Sequence, residues 1–305
     1  MKRITLFIVI LLTIQNIIAQ ESSQFFDRAG SKIHYRILGN GSPILMLSGG
    51  PGFSSDYLQP IAEALSGSFR SIFFDQRGTG KSVPQKYDTS FISISLTLED
   101  IEFLRNQLGY KQWIILGHSY GGLLASIYAA SYPNSVSSII LVSSTGFTTS
   151  TLDYLGDNIW FRLLPSDKEL INYWNDSIII TQDYRRAIFE AAKAATPAYF
   201  FDRKKSLLFS QQIKPEDLNT DMGQLISQDL QNIKKYDASK PSHDFKKPVL
   251  VLQGRQDPIG ESIPMVISQT YPNSKLVFIE QCGHFPWIEQ PKTFFDAIKS
   301  FLKMQ

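Results

Sequence analysis

The chain has a single cysteine in 305 residues, Cys282, so no disulfide can form within it, and the fold must rest on packing and hydrogen bonding. Charge of either sign is in short supply: 30 Lys and Arg against 28 Asp and Glu leave a net +2, and loss of Lys2 and Arg3 with a leader would bring the balance to zero (28 against 28). That excludes a global basic field of the kind that attracts nucleic acid, and no nucleic-acid partner is expected. Internal repeats and low-complexity tracts are also missing. The Gly-rich stretch Asp75-Gln76-Arg77-Gly78-Thr79-Gly80-Lys81-Ser82 lacks the G-x-x-x-x-G-K-[ST] spacing of a phosphate loop, which argues against nucleotide binding. What remains is 43% hydrophobic content in a chain long enough to bury a large core, the composition of one globular enzyme domain carrying an insertion.

The N terminus carries an export signal. Met1-Lys2-Arg3 is basic, Ile4 to Ile14 is an almost unbroken apolar run, and Ala19 before Gln20 offers a small residue at a cleavage point. Thr13, Gln15 and Asn16 interrupt a run already short of the ~20 apolar residues that span a bilayer. Residues 1–19 are therefore expected to be a cleaved signal peptide rather than a membrane anchor, and the protein to be periplasmic or secreted in a bacterium. No cysteine ends the leader to take a lipid, and an exported chain without disulfides is compatible with that location.

The most informative stretch is Gly117-His118-Ser119-Tyr120-Gly121, which follows the apolar run Trp113 to Leu116 and precedes the helix-compatible run Gly122 to Ala130. A G-x-S-x-G motif between a strand and a helix places its serine on a strained turn, exposed as a nucleophile, with glycines where a Cβ would collide with a neighbouring element. A neutral hydroxyl is a weak nucleophile, so a base and an orienting acid are required. Asp257 follows the apolar strand Pro248 to Leu252, and His284 follows the strand Lys275 to Ile279. The order nucleophile, acid, histidine, with each group in a loop past a strand's end, lets three loops meet on one edge of a sheet. Taken singly, Asp257 before a proline is a turn former and His284 a solvated loop residue; order and placement favour the catalytic reading. Cys282 is read as a small buried residue of the histidine loop, since Ser119 already fills the nucleophile position.

A developing oxyanion needs backbone N–H donors. Ser48-Gly49-Gly50-Pro51-Gly52 follows the strand Pro43 to Leu47. Pro51 has no N–H, so Gly50 is the expected first donor and Tyr120, the residue after the nucleophile, the second.

Gly49-Gly50-Pro51-Gly52, the D-Q-R-G-x-G-x-S segment beginning at Asp75, and the serine elbow together resemble the proline iminopeptidase branch of the α/β-hydrolase superfamily. The resemblance covers the sheet-forming parts, about residues 24 to 146 and 242 to 305. It implies an α/β-hydrolase fold, catalysis by Ser119, Asp257 and His284, no cofactor, and a small-molecule or short-peptide substrate. The chain departs from the family in having Ser48 before the glycines and His118 and Tyr120 around the serine. Family members bind the substrate's amino terminus with acidic residues of a cap; Glu169, Glu190, Glu216, Asp217 and Asp221 are candidates here. Asp75 and Arg77 read as structural braces.

Elsewhere strands alternate with helices, which implies a mostly parallel sheet covered on both faces, in the α/β class. Residues 24 to 38 read as a leading hairpin, Ser138 to Val142 as a buried strand, and a helix is expected to start at a capping Thr97, carry Leu98, Ile101, Leu104 and Leu108 on one side, and stop at Gly109. Between residues 147 and 241 the alternation is lost: the segment is aromatic-rich and helical, best over Gln182 to Ala195. It is expected to be a cap inserted into a core of residues 20–146 and 242–305, most of its aromatics building its own small core. Three readings stay open: an aminopeptidase releasing an N-terminal proline or similar residue, a carboxylesterase or lactonase, and a catalytically silent binding protein.

Overall fold

The computed structural model describes residues 22–148, 152–231 and 237–304. The expected signal peptide lies outside these residues. Among the described residues nine strands form one sheet: β1 (Ser22–Arg28), β2 (Ser31–Leu38), β3 (Ser42–Leu47), β4 (Phe69–Phe74), β5 (Val83–Pro84), β6 (Trp113–His118), β7 (Val136–Val142), β8 (Val249–Gly254) and β9 (Ser274–Ile279). Their spatial order is β1-β2-β4-β3-β6-β7-β8-β9, with β5 paired to β2. From β4 through β9 every pairing along this path is parallel, and the antiparallel pairings are those of β2, with β1, β4 and β5.

The period-two pattern of the central strands explains the layering. Leu45, Leu47, Ile115, Ile139, Leu141, Val249 and Val251 enter one apolar layer, while Ile44, Met46, Ile114, Leu116, Ile140, Val142, Leu250 and Leu252 enter the other. The first layer is covered by helices α2 (Ile94–Gln107) and α3 (Tyr120–Ser131), with Ile267 of a later helix, Ser262–Thr270. Against the second pack Gln59–Leu65, here α1, and the C-terminal helix Pro291–Leu302, which contributes Phe294, Ile298, Phe301 and Leu302.

Helix α2 begins a turn earlier than its sequence suggests. Ser93 is the N-cap, its side chain accepting the Leu96 N–H at 3.2 Å, and the Thr97 hydroxyl instead donates to the Ser93 carbonyl at 2.9 Å. Both residues have a capping side chain; Ser93 adopts the extended backbone that an N-cap needs. Gly109 does follow the helix, at a φ of 73° that favours glycine.

Among the described residues between β7 and β8, six helices precede residue 231: α4 (Leu152–Arg162), α5 (Pro165–Trp174), α6 (Ser177–Gln182), α7 (Tyr184–Ala195), α8 (Arg203–Gln212) and α9 (Thr220–Leu230). The short helix Ser239–Asp244 that follows is α10, flanked by Ala238 and Phe245 of the first apolar layer. Helix α7 is capped by Asp183, which accepts the Arg186 N–H at 3.1 Å. Met222, Ile226 and Leu230 of α9 pack into the first apolar layer, so this helix is anchored to the core beneath it.

Candidate active site

All six residues of β6 are buried, and the strand stops at Ser119, whose φ of 56° and ψ of −121° form a sharp turn before α3. A non-glycine residue in such a region stores roughly 1–3 kcal/mol, held there by its surroundings. The surroundings are tight: a Cβ at Gly117 would sit 2.2 Å from the Gly121 carbonyl oxygen, and one at Gly121 2.2 Å from the Leu47 carbonyl oxygen. Only glycine fits at either place, so the motif's flanking positions are dictated by the adjacent strand and helix.

His284 stands in the loop after β9 and is 5% exposed, and its Nδ1 lies 2.9 Å from Oδ2 of Asp257 in the loop after β8. A carboxylate can only accept, so Nδ1 carries the proton and Nε2 is left as the basic nitrogen. Asp257 is itself fixed, its Oδ1 accepting the Ile259 N–H at 2.9 Å. The Asp257 and His284 loops lie close together: a Cβ at Gly254 would meet the Gly283 carbonyl oxygen at 2.0 Å.

The Gly-Pro-Gly loop after β3 lies directly on the nucleophile, for a Cβ at Gly49 would be 2.9 Å from Cβ of Ser119. Gly49 donates its N–H to Oη of Tyr57 at 2.6 Å, so that donor is already engaged. Its neighbour Gly50 lines the cavity at a φ of 110°. Tyr120 opens α3, at the positive end of the helix, with its ring in the core.

Ser119, His284 and Gly50 share one cavity of about 180 Å³, and Asp257 and Tyr120 stand behind its lining. Gly49, Gly50, His118, Ser119 and His284 form its floor, and Phe189, Ala192, Lys193, Tyr199 and Phe209 of the inserted segment its roof. Of the aromatic residues in that segment, Phe189, Tyr199 and Phe209 line the cavity, whereas Phe161, Tyr173, Tyr184 and Phe201 are exposed on its outside and build no core. Burial, with the charge of Asp257, pushes the Tyr199 phenol up to about 12. Burial also pushes the Cys282 thiol up, helped by the carboxylates of Glu289 and Asp257, and leaves it a protonated packing residue of the histidine loop.

None of the acidic candidates lines this cavity. Glu190, Glu216 and Asp221 border a neighbouring cleft, separated from it by Phe189 and Leu218, which line both; Asp217 borders a groove on the other side of Phe209 and Ile213; Glu169 is exposed on α5. Two residues beyond the sequence reading are central instead, Tyr57 and Lys193. Lys193 lies 4.0 Å from Glu190 at the edge of ion-pair range and is the one Lys, Arg, Asp or Glu among the described residues lining the cavity. Among the described residues no group of three or more His, Cys, Asp or Glu is placed to hold a metal ion.

Asp75 and Arg77 stand outside the cavity as braces. Asp75 accepts from Ser55 N and Oγ, from Lys81 N and from Nδ1 of His34, all within 3.0 Å, and Arg77 grips Asp100 through Nε and Nη2 while its Nη1 reaches Ser31.

A strained serine between a parallel strand and a helix, with histidine and aspartate on later strand ends, defines an α/β-hydrolase enzyme, and residues 42–291 match the model of the alpha/beta hydrolase fold family, to which the chain belongs. Within that family it is proline iminopeptidase-like: it is 27% identical over 283 residues to a proline iminopeptidase of Saccharolobus solfataricus, covering 88% of this chain and 87% of that one, and 28% identical to one of Heyndrickxia coagulans, covering 91% and 97%. The similarity thus extends well beyond the sheet-forming segments into the insertion. Among solved structures, an α/β-fold hydrolase of Bacillus anthracis superposes with a TM-score of 0.72 at 20% identity, covering 92% of this chain and 99% of that one. Est816, titled an N-acyl homoserine lactone degrading enzyme, superposes with a TM-score of 0.68 at 18% identity, covering 91% and 100%.

Proposed function

We propose that this protein is a serine hydrolase working through an acyl-enzyme on Ser119. The observation that carries the reading is the protonated Nδ1 of His284 held on Asp257, with the same ring and Ser119 lining one cavity. His284 Nε2 takes the Ser119 proton as Oγ attacks the substrate carbonyl, and the backbone N–H groups of Gly50 and Tyr120 bind the oxyanion. His284 then gives the proton to the leaving group, and a water activated by the same nitrogen releases the acyl group.

The cavity volume and its ring of Phe189, Phe209, Leu218 and Phe285 suit a small, mainly apolar acyl group. An N-terminal amino acid would bring an ammonium next to a wall that offers Lys193 and no carboxylate, so the geometry favours an uncharged acyl group, as in an ester or lactone. A second reading, release of an N-terminal proline, is favoured by the proline iminopeptidase relatives aligned over most of the chain. In it, one of the acidic residues of the neighbouring cleft would have to reach past Phe189.

Comparing kcat/KM for proline arylamide, its N-acetylated form and a short-chain aryl ester, in wild type and Ser119→Ala, tests both. Ester turnover that vanishes in Ser119→Ala, with neither arylamide cleaved, is the expected result. Strong turnover of the free-amine arylamide, abolished by acetylation, would replace it with the aminopeptidase reading. Activity persisting in Ser119→Ala would sink the nucleophile assignment.

A further inference from the structure

His118, immediately before the serine, is 2% exposed, and its ring stands in a box made by the rings of Tyr57, His284, Phe285 and Trp287, with centroids between 4.6 and 5.6 Å away. Its hydrogen bonds have only one possible set of directions. The His284 carbonyl, 3.0 Å from Nε2, can only accept, so Nε2 carries the proton. In the neutral ring Nδ1 must then accept, and its partner at 2.8 Å is the Tyr57 hydroxyl. Tyr57 donates there and accepts the Gly49 N–H at 2.6 Å. Burial, reinforced by the adjacent His284, holds the His118 pKa well below its ordinary value, in keeping with a neutral ring.

We propose that Tyr57 and His118 are positioning residues for acyl transfer: a one-directional relay from Gly49 N–H through the Tyr57 hydroxyl and His118 to the His284 carbonyl fixes the oxyanion loop, the serine elbow and the histidine loop in one register. The inference rests on the serine-hydrolase reading above. The three loops come from the ends of three different strands, so small independent shifts would separate the groups that must act together. Holding Gly49 turned toward Tyr57 also presents the next peptide, that of Gly50, to the cavity. Deleting one hydroxyl frees His118 to exchange tautomers, which loses the bond to His284 as well.

The test is Tyr57→Phe, His118→Leu and the double variant, assayed on the aryl ester with active sites titrated by a fluorophosphonate. We expect full labelling of Ser119 and KM near wild type in Tyr57→Phe, kcat per labelled site lower by roughly ten- to a hundredfold, and a double variant no slower than the worse single one. Trp287→Phe, which alters the ring packed on His118 without touching the relay, should change kcat by less than about twofold. Imidazole 15N spectra of the wild type should show His118 as the Nε2–H tautomer, a readout that needs no variant to fold. Full labelling with unchanged kcat in Tyr57→Phe, additive losses in the double variant, or an Nδ1–H tautomer would each overturn the relay. A wild type that takes no label at Ser119 would instead sink the serine reading, and the relay's role with it.

Discussion

The backbone N–H of His284 donates to the carbonyl oxygen of Tyr199 at 2.7 Å, so the loop that carries the candidate base is fastened to the inserted helices above it. Tyr199 is also part of the cavity wall, which makes the insertion a structural partner of the histidine as well as a cover. Any change that lifts this segment should therefore disturb the base directly.

Gly283 is the point at which this can be tested by sterics. A Cβ there would lie 2.2 Å from the Tyr199 carbonyl oxygen and 2.9 Å from Cα of Phe200, both backbone atoms that cannot swing aside. Gly283→Ala should lower kcat/KM for the aryl ester by about a hundredfold, because a displacement near 1 Å in the catalytic geometry is enough for that. Retention of wild-type kcat/KM would show that the contact is not needed.

Glu289 is the second tie. Its carboxylate accepts from Gly283 N at 2.5 Å, from Phe201 N at 2.9 Å and from Asp202 N at 2.8 Å, joining the histidine loop to the entry of α8. Glu289→Ala leaves the buried Gly283 N–H and the half-buried N–H groups of Phe201 and Asp202 without that partner, and should cost about 3 kcal/mol in urea unfolding. A loss below about 0.5 kcal/mol, the level of an ordinary surface substitution, would refute the tie.

Asp75 gives a pH dependence with a definite sign. Burial works against its charge, but the hydrogen bonds from His34, from Ser55 and from the Lys81 N–H outweigh it and hold the carboxyl below its ordinary range. A folded-state pKa below the unfolded one contributes stability that is present above the unfolded value, near 4, and lost as pH falls through the folded one. Wild type should therefore be more stable than Asp75→Asn at pH 7, and the gap should close as the pH is lowered below about 4. Thermal melts across that range check it; a gap that widens on acidification would contradict the assignment.

Cys282 is 0% exposed, and its thiol is held protonated by burial. Native protein should resist iodoacetamide at pH 8 and react once unfolded in guanidinium, and Cys282→Ala should keep turnover within about threefold of wild type. Loss of activity on mild alkylation of folded protein would reopen a role for the thiol.

How much was legible follows from range. Strands β3, β6, β7, β8 and β9 can be read to within two residues at either end because each is a short apolar run closed by a polar or glycine turn, and in β3, β6, β7 and β8 burial on both faces leaves that local trace. The start of α2 is not legible locally because Ser93 and Thr97 carry the same kind of capping side chain one turn apart, and only backbone conformation separates them. Tyr57 left no local mark: it meets His118 from 61 residues away, and His118 meets the His284 carbonyl from 166 away. The acidic residues of the insertion are visible as residue types, yet that none of them lines the cavity depends on how α7 and the chain leading to α9 are turned.

The serine elbow, the order of Ser119, Asp257 and His284, and the parallel sheet that carries them are legible from the chain alone, because each is written in adjacent residues and in the apolar periodicity of single strands. Packing between distant segments sets which wall of the insertion faces Ser119, that this wall offers Lys193 and aromatic rings rather than a carboxylate, and that Tyr57 and His118 join three loops, since helix orientation and side-chain meeting points have no local trace in the chain.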